Sequence, residues 1–166
     1  MLKKIRRQLT LFVEHESDAA IETVRQKFNP KQSRLIKSHV TLCREDEIED
    51  IERVLKNICS LSQSQIIIDF GKPIRFDNGK GVLLPAKSDD DFKKLRRNIL
   101  TGVVENPRLQ EPHVTLMHPR NSTCTDDIFK EISLFNFPET LVFKNIDLIE
   151  QTDDLEWKTL QRFPLS

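Results

Sequence analysis

The tetrapeptide His-Val-Thr-Leu occurs twice in this chain, at residues 39–42 and 113–116, so the two copies start 74 residues apart. Side chains alternate across a strand, which puts His39 and Thr41 on one face and Val40 and Leu42 on the other. His113 and Thr115 separate from Val114 and Leu116 in the same way. A strand of this kind packs its aliphatic back on a core and lines a wet cleft with its front. Two imidazoles with ordinary pKa values near 6.5 can stand one neutral and one protonated around neutrality. Such a pair takes a proton from an attacking oxygen and delivers one to a leaving oxygen, and each role contributes roughly 10²–10⁴ in rate. The threonine hydroxyls, two residues on, can donate to a developing anionic oxygen. The set fits phosphodiester chemistry with water or an internal ribose hydroxyl as the attacking group. A single copy is four common strand residues; its repetition in a similar local context is what points to chemistry.

Other side chains are candidates by position. Arg44 and Arg120 closely follow the two motifs and suit bidentate contact with phosphate, although solvated arginines are the plain alternative. Phe12 could stack on a base, but most of the ten phenylalanines must build the core, and the core is the stronger expectation for it. His118 lies five residues after His113, an odd separation that predicts the opposite strand face, and Pro119 ends the strand. His15 reads as a surface residue. The clusters Lys3-Lys4 with Arg6-Arg7, and Lys93-Lys94 with Arg96-Arg97, could hold an RNA backbone; solvated faces are the default for both.

The elements that must position these residues follow from the pattern. QLTLFV (8–13) reads as a strand. Residues 17–28 read as a helix with Ser17 as N-cap, an apolar stripe of Ala20, Ile21, Val24 and Phe28, and Pro30 closing it. SHVTL (38–42) is a strand. EDEIEDIERVLKNI (45–58) is a helix whose acidic start suits the positive end of its dipole, so the acids there are structural rather than a metal site. QIIIDF (65–70) and GVLLPA (81–86) flank FDNGKG, where Asn78-Gly79 signals a hairpin turn. Ser88 and Asp91 have capping-box spacing ahead of a helix that stops at Gly102, as do Thr123 and Asp126 ahead of another. PHVTL (112–116) is a strand, and the tail from Leu141 reads as two strands around a turn near Asp153-Asp154. At the 74-residue offset Arg34-Leu35 maps onto Arg108-Leu109 and Thr10 onto Leu84, so each copy reads strand, helix, loop, motif strand. The class is α+β with mainly antiparallel pairing. Residues 1–166 are expected to form a single domain of two similar lobes facing one cleft, with the helices outside.

The composition narrows the options. The 166 residues carry 26 Lys+Arg and 26 Asp+Glu, so the balanced charge excludes the global basic footprint of a protein that coats nucleic acid. Only four glycines are present, at 71, 79, 81 and 102. They cannot make the dinucleotide-binding fingerprint, and a P-loop is excluded because Ile74 and Gly81 stand where it needs Gly and Ser/Thr. The cysteines, Cys43, Cys59 and Cys124, are odd in number and widely spaced, which excludes a disulfide framework or zinc knuckle and points to a reducing compartment. No apolar segment approaches the ~20 residues of a membrane span, and the N-terminus lacks signal-peptide features. The expectation is a cytoplasmic protein needing no metal or other cofactor, with no obligate protein partner.

The paired motifs, the Pro-His-Val-Thr-Leu form of the second, and the alternating strands of NIDLIEQTDD and WKTLQRFPL resemble the two-histidine (2H) phosphoesterase superfamily, on its 2′–5′ RNA ligase-like and cyclic phosphodiesterase branch. The resemblance spans nearly the whole chain. It implies a pseudo-symmetric bilobal fold, His39 and His113 as general acid and base, and Thr41 and Thr115 on the phosphate, without a metal. Its members open 2′,3′-cyclic phosphates or cleave or join 2′–5′ linkages in RNA. The substrate would be a small nucleotide or an RNA end. Ligation by the reverse reaction is the alternative within the enzyme class, and a non-catalytic RNA-end or nucleotide-binding module is the alternative outside it.

Overall fold

The structure is a computed structural model that describes residues 1–166. Its first strand, β1 (Ile5–Phe12), is central to a four-stranded antiparallel sheet. β1 pairs on one side with β2 (His39–Cys43) and on the other with β8 (Asn145–Thr152), which in turn pairs with the edge strand β9 (Lys158–Pro164). A second sheet joins β4 (Ile74–Phe76), β5 (Gly81–Pro85) and β6 (His113–Met117) in that order. A third pairs β3 (Ile66–Asp69) with β7 (Thr140–Phe143).

The alternation expected of the strands is what buries them. Leu9 and Leu11 are fully buried, and Val40, Leu42, Val114 and Leu116 are too, while His39, Thr41, His113 and Thr115 are only half-buried. One cluster of 30 buried residues, drawn from both copies of the repeat, forms a continuous core. Each fully buried Leu, Ile or Val contributes about 1.5–3 kcal/mol relative to exposure, so the pattern fixes the register firmly.

The helices are α1 (Ala19–Phe28), α2 (Pro30–Leu35), α3 (Ile51–Cys59), α4 (Asp90–Leu100) and α5 (Asp126–Ile132). Pro30 starts α2 instead of merely ending α1: its missing N–H is harmless at the first turn. Residues 45–58 are not one helix. A 3-10 turn over Glu45–Glu47 comes first, and Asp50 then caps α3 by accepting from the Arg53 N–H at 3.2 Å. Ser17 and Ser88 do not cap; α1 and α4 begin after Asp18 and Asp89, and the cap of α5 is Thr125 rather than Thr123. The Asn78-Gly79 turn joins β4 to β5, with Asp77, Asn78 and Gly79 all at positive φ, whereas β3 ladders with β7 and meets the end of β5 only through a Phe70–Ala86 bridge.

The repeat is visible in three dimensions with a one-residue adjustment. Leu11 pairs with Val40 as Leu84 pairs with Val114, so the first strands match at an offset of 73 while the motif strands match at 74. Each helix then crosses to the other copy: α1 packs on β6, and α4 packs on β2. Arg34 and Arg108 do not correspond, because Arg34 sits in α2 and Arg108 in an irregular loop.

One buried ion pair locks the second crossing. Arg96 of α4, read from sequence as part of a solvated face, is buried with Glu47. It donates to both Glu47 oxygens at 3.0 and 2.8 Å, to the Leu42 carbonyl at 2.7 Å and to the Arg108 carbonyl at 3.0 Å. Burial pushes the Glu47 carboxyl up and the Arg96 guanidinium down, but their mutual bonds prevail and hold Glu47 below and Arg96 above their ordinary values. Removing one partner strands a buried charge, at a cost of about 3–5 kcal/mol. Glu47→Ala should therefore lower the urea unfolding free energy at neutral pH by that amount, and a loss below about 1 kcal/mol would show that the pair is not structural.

Candidate active site

The two motif strands, β2 and β6, lie side by side without sharing a ladder. Their polar faces open into one cleft of about 580 Å³, which brings His39, Thr41, His113 and Thr115 together. Both histidines are oriented in the same way. His39 Nδ1 lies 2.7 Å from the Lys37 carbonyl and His113 Nδ1 lies 2.9 Å from the Glu111 carbonyl. A carbonyl only accepts, so each Nδ1 carries the hydrogen and each Nε2 is the free basic nitrogen.

His39 is crowded by protein, and burial pushes its pKa down to about 4; Arg25 and His113 add to the depression, while its bond to Lys37 and the charge on Glu22 oppose it. It is therefore neutral at physiological pH.

Six arginines line the cleft against two carboxylates, Glu45 and Asp46. Three of the arginines are paired: Arg7 with Glu150 at 2.8 Å, Arg25 with Glu22 at 2.7 Å, and Arg108 with Asp46. Arg44 and Arg120, the two singled out from sequence, both line the cleft and pair with no carboxylate there or elsewhere. Arg6 bonds only to the neutral Gln151 and stacks 5.3 Å over Trp157. The first basic cluster is thus divided: Arg6 and Arg7 line the cleft, while Lys3 and Lys4 stand exposed.

Two expectations change. His118 is not turned to the opposite face: β6 ends at Met117, the strand parity lapses there, and His118 lines the cleft. Phe12 is not core. It is half-buried on the same face as His39, 6.1 Å from that ring edge to face, and lines a neighbouring hollow of about 430 Å³ that shares Ile36 and Trp157 with the cleft. His15 is fully exposed, as its position before the first helix suggested.

Arg25, Arg108 and Trp157 were not anticipated. Arg25 had a legible signal: it stands four residues after Ile21 and three before Phe28, inside the apolar stripe of α1, where a charge must find buried partners. Arg108 and Trp157 are brought to the cleft by loops and had none. No group of three His, Cys, Asp or Glu side chains that could hold a metal ion forms in the chain. No helix is long and apolar enough to cross a membrane.

Fold and cleft together define an α+β protein built around a repeated histidine–threonine strand. The same fold is found in crystal structures of E. coli LigT. LigT complexed with phosphate matches with a TM-score of 0.65 at 16% identity, over 97% of this chain and 97% of LigT. LigT complexed with NADP+ matches at 0.67 and 16%, over 96% and 97%. A structure described as a phosphoesterase matches at 0.66 and 15%, over 98% and 99%. A search of curated proteins finds no significant match. The family model of the 2′-5′ RNA ligase superfamily matches residues 13–155, and the chain belongs to that superfamily.

The depressed pKa of His39 has two measurable consequences. Its imidazole resonances should titrate with a midpoint near 4, and a midpoint near 6.5 would contradict the burial argument. The folded state also binds fewer protons here than the unfolded one. His39 should therefore make stability rise with pH between about 4 and 6.5, a slope that His39→Gln removes.

Proposed function

We propose that the protein is a metal-independent phosphodiesterase that opens 2′,3′-cyclic phosphates or cleaves 2′–5′ linkages at a nucleotide or RNA end. The observation that carries this reading is the pair of identically oriented Nε2 atoms in one arginine-rich cleft. His39, neutral and with Nε2 free, is the general base that takes a proton from the attacking water. His113 is the general acid that protonates the leaving ribose oxygen. Thr41 and Thr115 donate to the non-bridging oxygens as charge builds on the phosphorane-like transition state, and Arg44 neutralises that charge. Phe12 offers an aromatic surface for a base beside His39.

Family membership and the shared LigT fold, which has been captured with phosphate, 3′-AMP, ATP and NADP+, support a small phosphate-bearing ligand. The superfamily's description also makes ligation of RNA bearing 2′,3′-cyclic phosphate ends, by the reverse reaction, the second reading. Product analysis on cleaved RNA with such ends separates hydrolysis from ligation. The three free cysteines fit a cytoplasmic setting.

His39→Ala and His113→Ala should each lower kcat on a nucleoside 2′,3′-cyclic phosphate by about 10²–10⁴, with the double variant little worse than the singles because the two act as a unit. EDTA should leave the wild-type rate unchanged. The kcat/KM profile should be bell-shaped with its acidic limb near pH 4, set by His39. Full activity in the double variant, or binding of the cyclic phosphate without turnover, would overturn the assignment.

A further inference from the structure

The repeat extends one chemically informative step beyond its four matching residues. After His-Val-Thr-Leu come Cys43-Arg44 in the first copy and Met117-His118 in the second, so Arg44 and His118 occupy the same position, 74 residues apart. Both have their backbone N–H fixed by a buried side chain. Arg44 donates to Glu47 Oε1 at 2.9 Å, and His118 donates to Asn29 Oδ1 at 2.7 Å. Both side chains line the cleft.

Their chemistry differs. Arg44 is a permanent forked cation. The Nδ1 of His118 accepts the Arg120 N–H at 3.1 Å, so the neutral ring carries its hydrogen on Nε2. Burial, and then the nearby Arg120 charge, push its pKa below the ordinary value. His118 is therefore a neutral donor beside a cation, in the reverse orientation to His39 and His113, whose free Nε2 atoms are acceptors. It cannot act as a base through Nε2, the role given to His39.

A charge count shows what the extra donor is for. Arg6, Arg44 and Arg120 are the cleft arginines without a carboxylate partner, and Glu45 is the one cleft carboxylate without a cation. Setting Glu45 against one arginine leaves two guanidinium charges. The reacting phosphodiester supplies a single negative charge and is met by Arg44 at the repeat position. A guanidinium charge is left over; Arg6 is bonded to Gln151 and stacked on Trp157, so Arg120, outside the repeat and next to His118, is the one placed to use it.

We propose that His118 and Arg120 form a second phosphate subsite, so that the preferred substrate carries a phosphate beyond the one that reacts. The inference rests on the phosphodiesterase reading and deepens it. The second phosphate could be a 5′-phosphate on the same nucleotide or the next internucleotide phosphate of an RNA. A phosphomonoester, with about −1.5 to −2 charges at neutral pH, suits the subsite as well as a diester.

Calorimetry on the His39→Ala/His113→Ala variant tests the subsite without turnover, using three probes: a nucleoside 2′-phosphate, the same nucleoside 2′,5′-bisphosphate, and a dinucleotide ending in a 2′-phosphate. The bisphosphate, the dinucleotide, or both should bind about tenfold tighter than the monophosphate, and which of them does so identifies the source of the second phosphate. Adding Arg120→Ala or His118→Ala should bring the affinity ratio close to one. His118→Gln, which restores a neutral donor, should recover most of it. Arg44→Ala should weaken all three probes in parallel. Equal affinity for the three probes, or a ratio indifferent to His118 and Arg120, would overturn the proposal. Preference in binding without turnover of any cyclic phosphate by the wild type would instead overturn the phosphodiesterase reading and leave the subsite standing.

Discussion

The arrangement depends on how two strands that share no hydrogen bonds are held side by side. β2 and β6 each present a histidine and a threonine to the cleft, and no ladder fixes their separation. The fixing is done from behind. Each copy's long helix crosses to the other copy's motif strand, and buried polar side chains then pin the backbone at the strand ends. Arg96, itself held by Glu47, donates directly to the Leu42 and Arg108 carbonyls. Arg25 holds the Ile36 carbonyl at 2.7 Å, and its partner Glu22 accepts the Ser38 N–H just before His39. At the far end of β6, Asn29 accepts the His118 N–H and Ser122 donates to the Phe28 carbonyl. These buried polar contacts fix the strand ends in one arrangement, with the Asn29 Nδ2 left buried without a partner.

The same scaffolding sets the electrostatics. The protein crowded around His39 keeps it neutral, and the carbonyl two residues upstream of each motif histidine selects the tautomer that leaves Nε2 available. The chain has no glycine-rich loop to wrap a phosphate in backbone N–H groups. In the proposed reading, recognition falls instead to hydroxyls and guanidinium groups standing on strands and their exits. The formal charge of zero over the whole chain therefore hides a cleft in which arginines outnumber carboxylates, with Arg6, Arg44 and Arg120 left without a carboxylate partner.

Much of this was legible in the residues. Alternation in His-Val-Thr-Leu assigned the inward and outward faces, and the repeat located the cleft, because both signals are local and periodic. The departures have physical causes. Ser17 and Ser88 have cap-like spacing but yield to the following aspartates, since a cap is chosen by where the chain enters the helix. The Asn78-Gly79 turn is legible, and the two segments flanking it meet only at their ends, where Phe70 bridges Ala86; tertiary packing gives the β3 ladder to β7. Arg96 was read as solvated although it lies four residues after Phe92 and three before Ile99, within the buried stripe of α4. Arg25 stands at the same point of α1, so a charge inside an apolar stripe was the one overlooked signal. His118 was misplaced because parity was extended past the end of β6.

The central claim is that the two motif histidines address a single phosphate. Adding a nucleoside 2′-phosphate to the isotopically labelled protein and following backbone and imidazole resonances tests it directly. The account predicts saturable shifts at His39, Thr41, His113 and Thr115 together, with one binding constant. Shifts confined to the hollow beside Phe12, or affecting one motif strand without the other, would contradict it.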